Sequence, residues 1–223
     1  MAKLKVTDFY IYRWRYQLGF AAITTLLISL MALSVFFTSP GLSDGEQHSA
    51  ATSVATSFKT IIGSDPSTII NLPYHALQKT SIALFGLTQL SVKLPSLILV
   101  TLSVAGFYAV VRLWFRRNVA TITSLLLLSS SLFLSIGQLG TPDSVYLFYG
   151  ALLLFSTTMI AYAQRFRVFW FLASASLAAI SLYTPLGLYP ILALGITAAI
   201  HPHARFIVFR QSALTYTISG VLF

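Results

Sequence analysis

Long apolar runs alternate with short polar and basic breaks along most of the chain. A bilayer-crossing helix needs about 20 mostly apolar residues, and several runs approach that length. The first extends from about Leu18 to Phe37, after Lys3, Lys5, Arg13 and Arg15. A polar stretch over 38–93 follows, opened by the turn signal Ser39-Pro40-Gly41. Within it, Leu72 to Phe85 is apolar enough to lie in the membrane interface as an amphipathic helix. Further spans are expected at about Leu94–Trp114, Ala120–Leu139, Val145–Ala163, Val168–Tyr183 and Leu188–Ile200. A seventh begins near Ala213 and is cut off at Phe223.

The pattern predicts an all-α polytopic transmembrane bundle of about six full spans and a partial seventh. Residues 1–17 form a cytoplasmic N-terminus and 18–37 the first span. Residues 38–93 form an outer loop with amphipathic helices, and 94–223 the bundle, which reads as truncated. Continuous rather than alternating runs exclude a barrel.

Composition sharpens this. Hydrophobic residues make up 57% of the 223, and only 9% are charged, where a soluble domain carries about 25%. Mean hydropathy is +0.82. A soluble domain and a disordered chain are excluded, and without cysteine so is a disulfide scaffold. The net charge of +9 suggests nucleic acid until its placement is considered. Lys and Arg sit between the apolar runs, and no exposed soluble face remains to read nucleic acid. With the N-terminus inside, all of the 14 basic residues but Lys59, Lys79 and Lys93 fall on the cytoplasmic side. Asp44, Glu46, Asp65 and Asp143 fall outside. The expected location is the cell membrane, multi-pass, with a cytoplasmic N-terminus.

Chemistry is therefore sought at the outer face. Asp44 and Glu46 follow the first span, and Asp143 stands between the third and fourth. Carboxylates at a membrane boundary are functional candidates, and two such clusters facing one cavity suit a reaction needing a general base. The plain readings compete at even weight: Asp44 and Glu46 as solvated loop acids, Asp143 as a helix cap. Lys79 and Lys93 either meet a phosphate or snorkel to headgroups. His48 reads as a loop residue, and His201 and His203 as interfacial. No zinc spacing, phosphate loop or nucleophile elbow is present.

The order of features is distinctive. Asp44-Gly45-Glu46 precedes Leu72-Pro73-Tyr74-His75-Ala76-Leu77, then Leu84-Phe85-Gly86, then Val92-Lys93-Leu94-Pro95-Ser96. A span ending in Arg116-Arg117 follows, and the next ends in Gly140-Thr141-Pro142-Asp143. This resembles the N-terminal half of the GT-C superfamily of membrane glycosyltransferases, nearest the protein O-mannosyltransferase and lipid A aminoarabinose transferase branch. The resemblance covers about Leu18 to Pro190. The chain departs from that pattern in three places: Gly45 splits the acidic pair, Pro73 stands alone where two prolines are common, and Thr184-Pro185 replaces a lysine-bearing segment.

The resemblance implies an inverting glycosyltransferase. It would move a sugar from a polyprenyl-phosphate donor to a hydroxyl of a lipid, glycan or protein acceptor on the outer face. Asp44 takes the place of the catalytic base, with Glu46 or Asp143 positioning a substrate. Lys59, Lys79, Lys93 or His75, beside Tyr74, would serve substrate binding and offset phosphate charge. No metal and no cofactor is called for. A transporter or lipid flippase predicts ionisable residues at mid-membrane, which the span interiors lack. A non-catalytic membrane module predicts Asp44 and Asp143 far apart.

Overall fold

The computed structural model describes residues 17–19, 21–22, 24–25, 28–29, 41–55, 70–162 and 166–200. Every regular element among them is helical. In chain order they are α1 (Asp44–Ala55), α2 (Leu72–Phe85), α3 (Gln89–Trp114), α4 (Arg117–Ser129), α5 (Ser131–Gln138), α6 (Asp143–Tyr162), α7 (Arg167–Ser181) and α8 (Leu188–Ile200).

Local chemistry sets most of these boundaries. α1 starts in a capping box: the Ser43 amide donates to Glu46 Oε2 at 2.8 Å, and the Glu46 amide to Ser43 Oγ at 3.4 Å. α2 starts after Asn71 in the left-handed conformation (φ 59°), with Pro73 in its first turn, and stops at Gly86 (φ 74°). Thr88 and Ser91 form a second capping box at the head of α3. At the α7–α8 break, a side chain at Gly187 would overlap the Ser181 carbonyl. That turn is therefore restricted to glycine.

α3 is the central element, packing most extensively on α6 and also on α2, α4 and α5. Tyr74, Leu99, Val145, Tyr149, Leu153 and Ala178 form one core; Val100, Val104, Leu128 and Phe133 form a second. Gly106 brings α3 close to α6, since a Cβ there would lie 3.7 Å from Ala151 Cβ.

Among the described residues the span count is lower than the sequence suggests. Among the described residues, α3 and the first 18 residues of α6 are long and apolar enough to cross a membrane. A third span is added if α4 and α5, bent by 62° at their junction, count as one. The expected third span breaks at Ser129-Ser130-Ser131. There the hydroxyls of Ser129 and Ser130 bond the carbonyls of Leu126 and Leu127, and Ser130 caps α5 through the Phe133 amide. The expected fifth and sixth spans are α7 and α8, with 15 and 13 residues. Most of the expected first span and all of the seventh lie outside the described residues.

The segment expected to form an amphipathic helix is helical, with the bounds Leu72–Phe85. Its polarity is reversed relative to a soluble helix. Tyr74, His75, Gln78 and Ser81 face inward, while Leu77, Leu84 and Phe85 are exposed. An apolar outer face suits a helix whose surroundings are lipid.

Candidate functional site

The polar faces of α1 and α2 meet the N-terminal end of α3 and the 139–143 segment. Glu46 is the hinge of this assembly, with 1% exposure. Its Oε1 accepts the Gly140 amide at 2.8 Å and lies 3.4 Å from the Lys93 ammonium. Its Oε2 is held by the capping box. Burial alone would raise the Glu46 carboxyl; the amides of Gly140 and Ser43 and the charge of Lys93 together hold it below its usual value of 4.5. Lys93 is itself buried, at 4% exposure. α3 begins at Gln89, ahead of the apolar run, so Lys93 stands in its second turn.

Gln78 lies beneath this pair with no exposure. Its Nε2 donates to the carbonyls of Val92 (3.1 Å) and Gly140 (3.3 Å). Its Oε1 accepts from Ser49 (2.9 Å) and Ser53 (2.6 Å). The reverse amide orientation would set an oxygen against two carbonyls, so the chemistry fixes it. The single Ser53 proton is claimed by oxygens that only accept, Gln78 Oε1 and, at 2.9 Å, the Ser49 carbonyl. The 2.7 Å contact with His75 Nδ1 is then donated by the imidazole. Burial, with His48 nearby, pushes His75 below its usual 6.5, which favours the neutral imidazole with its proton on Nδ1.

A second strand of the network involves Tyr74. Ser96 gives its proton to the Thr141 carbonyl at 3.2 Å, so the Tyr74 hydroxyl donates to Ser96 at 2.9 Å. Burial raises the Tyr74 hydroxyl above its ordinary value, and the charges of Glu46 and Asp143 add to this.

The remaining candidates lie at the edge. Asp44 and Asp143 are both exposed. Asp143 opens α6 and accepts a hydrogen bond from the Thr141 hydroxyl at 2.9 Å. The segments that carry the two acids, at the heads of α1 and α6, are adjacent: a Cβ at Gly45 would sit 3.9 Å from Thr141 Cγ2, and Glu46 grips Gly140 directly. Gly140 is pressed against α3, where a Cβ would come within 2.9 Å of Val92 Cγ1 and 3.1 Å of its carbonyl oxygen. The half-buried Lys79 places Nζ 3.5 Å from the Val54 carbonyl. Lys59 lies outside the described residues. No group of three or more potential metal-ligating His, Asp or Glu side chains occurs among the described residues.

Residues 72–223 match the family model described as dolichyl-phosphate-mannose-protein mannosyltransferase. The match takes in more than half of the chain. The chain belongs to this family. It is a membrane glycosyltransferase of the GT-C type, in keeping with its apolar helices and helical fold. No curated protein and no solved structure matches the chain. The matched stretch begins at α2 and includes Lys93, Gly140 and Asp143. α1, with Asp44 and Glu46, precedes it and is bound to it by the contacts just described.

Four residues of the assembly carry no signal as single letters: Ser49, Ser53, Gln78 and Ser96. A joint signal exists. Tyr74, His75, Gln78 and Ser81 fall on one face of a helix rich in apolar residues, and Ser43-x-x-Glu46 is a capping-box pattern.

Proposed function

We propose that this mannosyltransferase-family chain moves a sugar from a polyprenyl-phosphate donor to an acceptor hydroxyl at the outer membrane face, with inversion. The family's description names dolichyl-phosphate-mannose as donor and protein as acceptor, which favours mannose and a protein hydroxyl here. In this reading the N-terminus is cytoplasmic and the chain crosses the cell membrane several times. The helices too short to span alone complete their crossings with neighbouring breaks.

Asp44 is the base. The acceptor hydroxyl gives its proton to the Asp44 carboxylate as its oxygen attacks the anomeric carbon. The carbon–oxygen bond to phosphate breaks on the opposite face, and the lipid phosphate leaves with the bonding electrons. Asp143, on the adjoining loop, orients one of the two substrates. Lys79 and Lys59 offset the charge of the leaving phosphate. Glu46, Lys93, His75 and Tyr74 are occupied by one another's neighbourhoods and act by holding the two loops in register. The observation that carries the reading is the Glu46–Gly140 bond, which joins the segment bearing Asp44 to the one bearing Asp143. A membrane module without catalysis predicts that these segments diverge.

The test is sugar transfer from polyprenyl-phosphate mannose by reconstituted protein. Asp44→Asn is expected to lower turnover by about 100-fold or more, the scale of a lost general base. Unchanged transfer would refute the assignment.

A further inference from the structure

We infer that Gln78 is a positioning residue whose buried amide sets the distance between the Asp44 segment and the Asp143 loop. The inference rests on the reading above for its catalytic meaning, but its geometry stands separately. Gln78, from α2, touches all three parts at once. Through Oε1 it holds Ser49 and Ser53 on α1; through Nε2 it holds Val92 on α3 and Gly140 in the loop. All four of its hydrogen-bonding capacities are therefore used, and none reaches solvent.

The Glu46–Lys93 pair supplies charge at the same junction, yet a carboxylate bonded by amides and an ammonium tolerates small displacements. A planar amide seated between two carbonyls and two hydroxyls does not. The loop's response is stiff for a second reason: Gly140 lies so near Val92 that not even a β-carbon would fit between them, which leaves little room for movement toward α3. If Gln78 releases Gly140, Asp143, three residues on, moves outward while Asp44 remains on α1. Misplacement by about 1 Å can cost about 100-fold in rate.

The chain has no cysteine, which makes the geometry measurable by disulfide trapping. One reporter pair is Gly45→Cys with Thr141→Cys, across the junction, where a Cβ at residue 45 would lie 3.9 Å from Thr141 Cγ2. The control pair is Gly106→Cys with Ala151→Cys, between α3 and α6, with a 3.7 Å separation at the β-carbons. Both are oxidised with copper-phenanthroline in membranes. Gln78→Glu keeps the size and the two acceptor bonds but removes both donors; Gln78→Met removes all four bonds.

The expected result is slower trapping of the junction pair, by about tenfold or more, with the control pair unchanged in at least one variant. In parallel, Gln78→Glu should lower kcat for transfer from polyprenyl-phosphate mannose by about 10- to 100-fold while leaving the donor KM unchanged. Trapping of the junction pair at the parental rate in both variants would overturn the inference. So would loss of the control pair in both, which would make Gln78 a general packing residue. If Asp44→Asn retains transfer while the trapping result holds, the catalytic reading fails and the positioning role survives.

Discussion

A carboxylate with 1% exposure stays ionised only while its compensating partners remain in place. For Glu46 these are two backbone amides and Lys93. Lys93→Met should therefore cost about 3–5 kcal/mol, the range for breaking a buried pair by removing one member. The double change with Glu46→Gln should recover most of that, as read by thermal unfolding in detergent. A double variant less stable than either single one would contradict the pairing. Acid should act in two steps. His75 titrates below its usual 6.5 in the folded chain and Glu46 below 4.5. For both groups the unfolded chain binds protons first, so their contributions are complete above those values and are lost as pH falls through the folded ones. Melting temperature should decline from about pH 6.5 downward, and His75→Asn should abolish only this upper limb. At this scale the sequence exposed the ionisable members, Glu46, Lys93 and His75, because such residues are conspicuous in an apolar chain. Their mutual pairing was hidden, since residues 46, 93 and 140 meet only in the folded chain.

At the scale of elements, α2 shows what periodicity can and cannot reveal. Its limits, Leu72 and Phe85, were legible from a Pro at one end and a Gly at the other. The direction of its polar face was not, because here the polar side is buried and Leu77, Leu84 and Phe85 are exposed, the inverse of a helix on a soluble domain. α3 provides a sharper case. Pro95 lacks an amide, so the Ser91 carbonyl one turn earlier loses its helical partner. Ser81 of α2 supplies one, with its hydroxyl 2.7 Å from that oxygen. Ser81→Ala should cost about 1–3 kcal/mol by leaving a buried carbonyl unpaired. In a Pro95→Ala background the amide of residue 95 takes over, and the same change should be close to neutral. Equal losses in the two backgrounds would show that Ser81 acts by packing alone. The bend at Ser129-Ser130-Ser131 was missed for a related reason: hydroxyls that compete with the helix ladder count as mildly polar in a hydropathy window, yet here they end the helix.

For the whole molecule, membrane character and helical class were legible from composition and run length alone, and the family match agrees with the resemblance carried by motif order. The number of spans was not legible, because run length overestimates helix length wherever serine or glycine interrupts the ladder. What the fold adds is the joining of α1, which precedes the matched stretch, to the rest through Gly140, Lys93 and Gln78. Gly140→Ala tests that junction as a whole. Its β-carbon would lie 2.9 Å from Val92 Cγ1 and 3.1 Å from the Val92 carbonyl. The loop must retreat, at a cost of about 1–3 kcal/mol, with transfer activity falling further than stability. The central claim is that two acids on separate loops serve one sugar transfer. It is tested most directly by a double-mutant cycle on turnover of polyprenyl-phosphate mannose, with Asp44→Asn, Asp143→Asn and both together in reconstituted protein. Acting in one step, the two changes should be strongly non-additive, the double variant being scarcely slower than the slower single one. Losses that multiply, or single variants as active as the parent, would contradict the account.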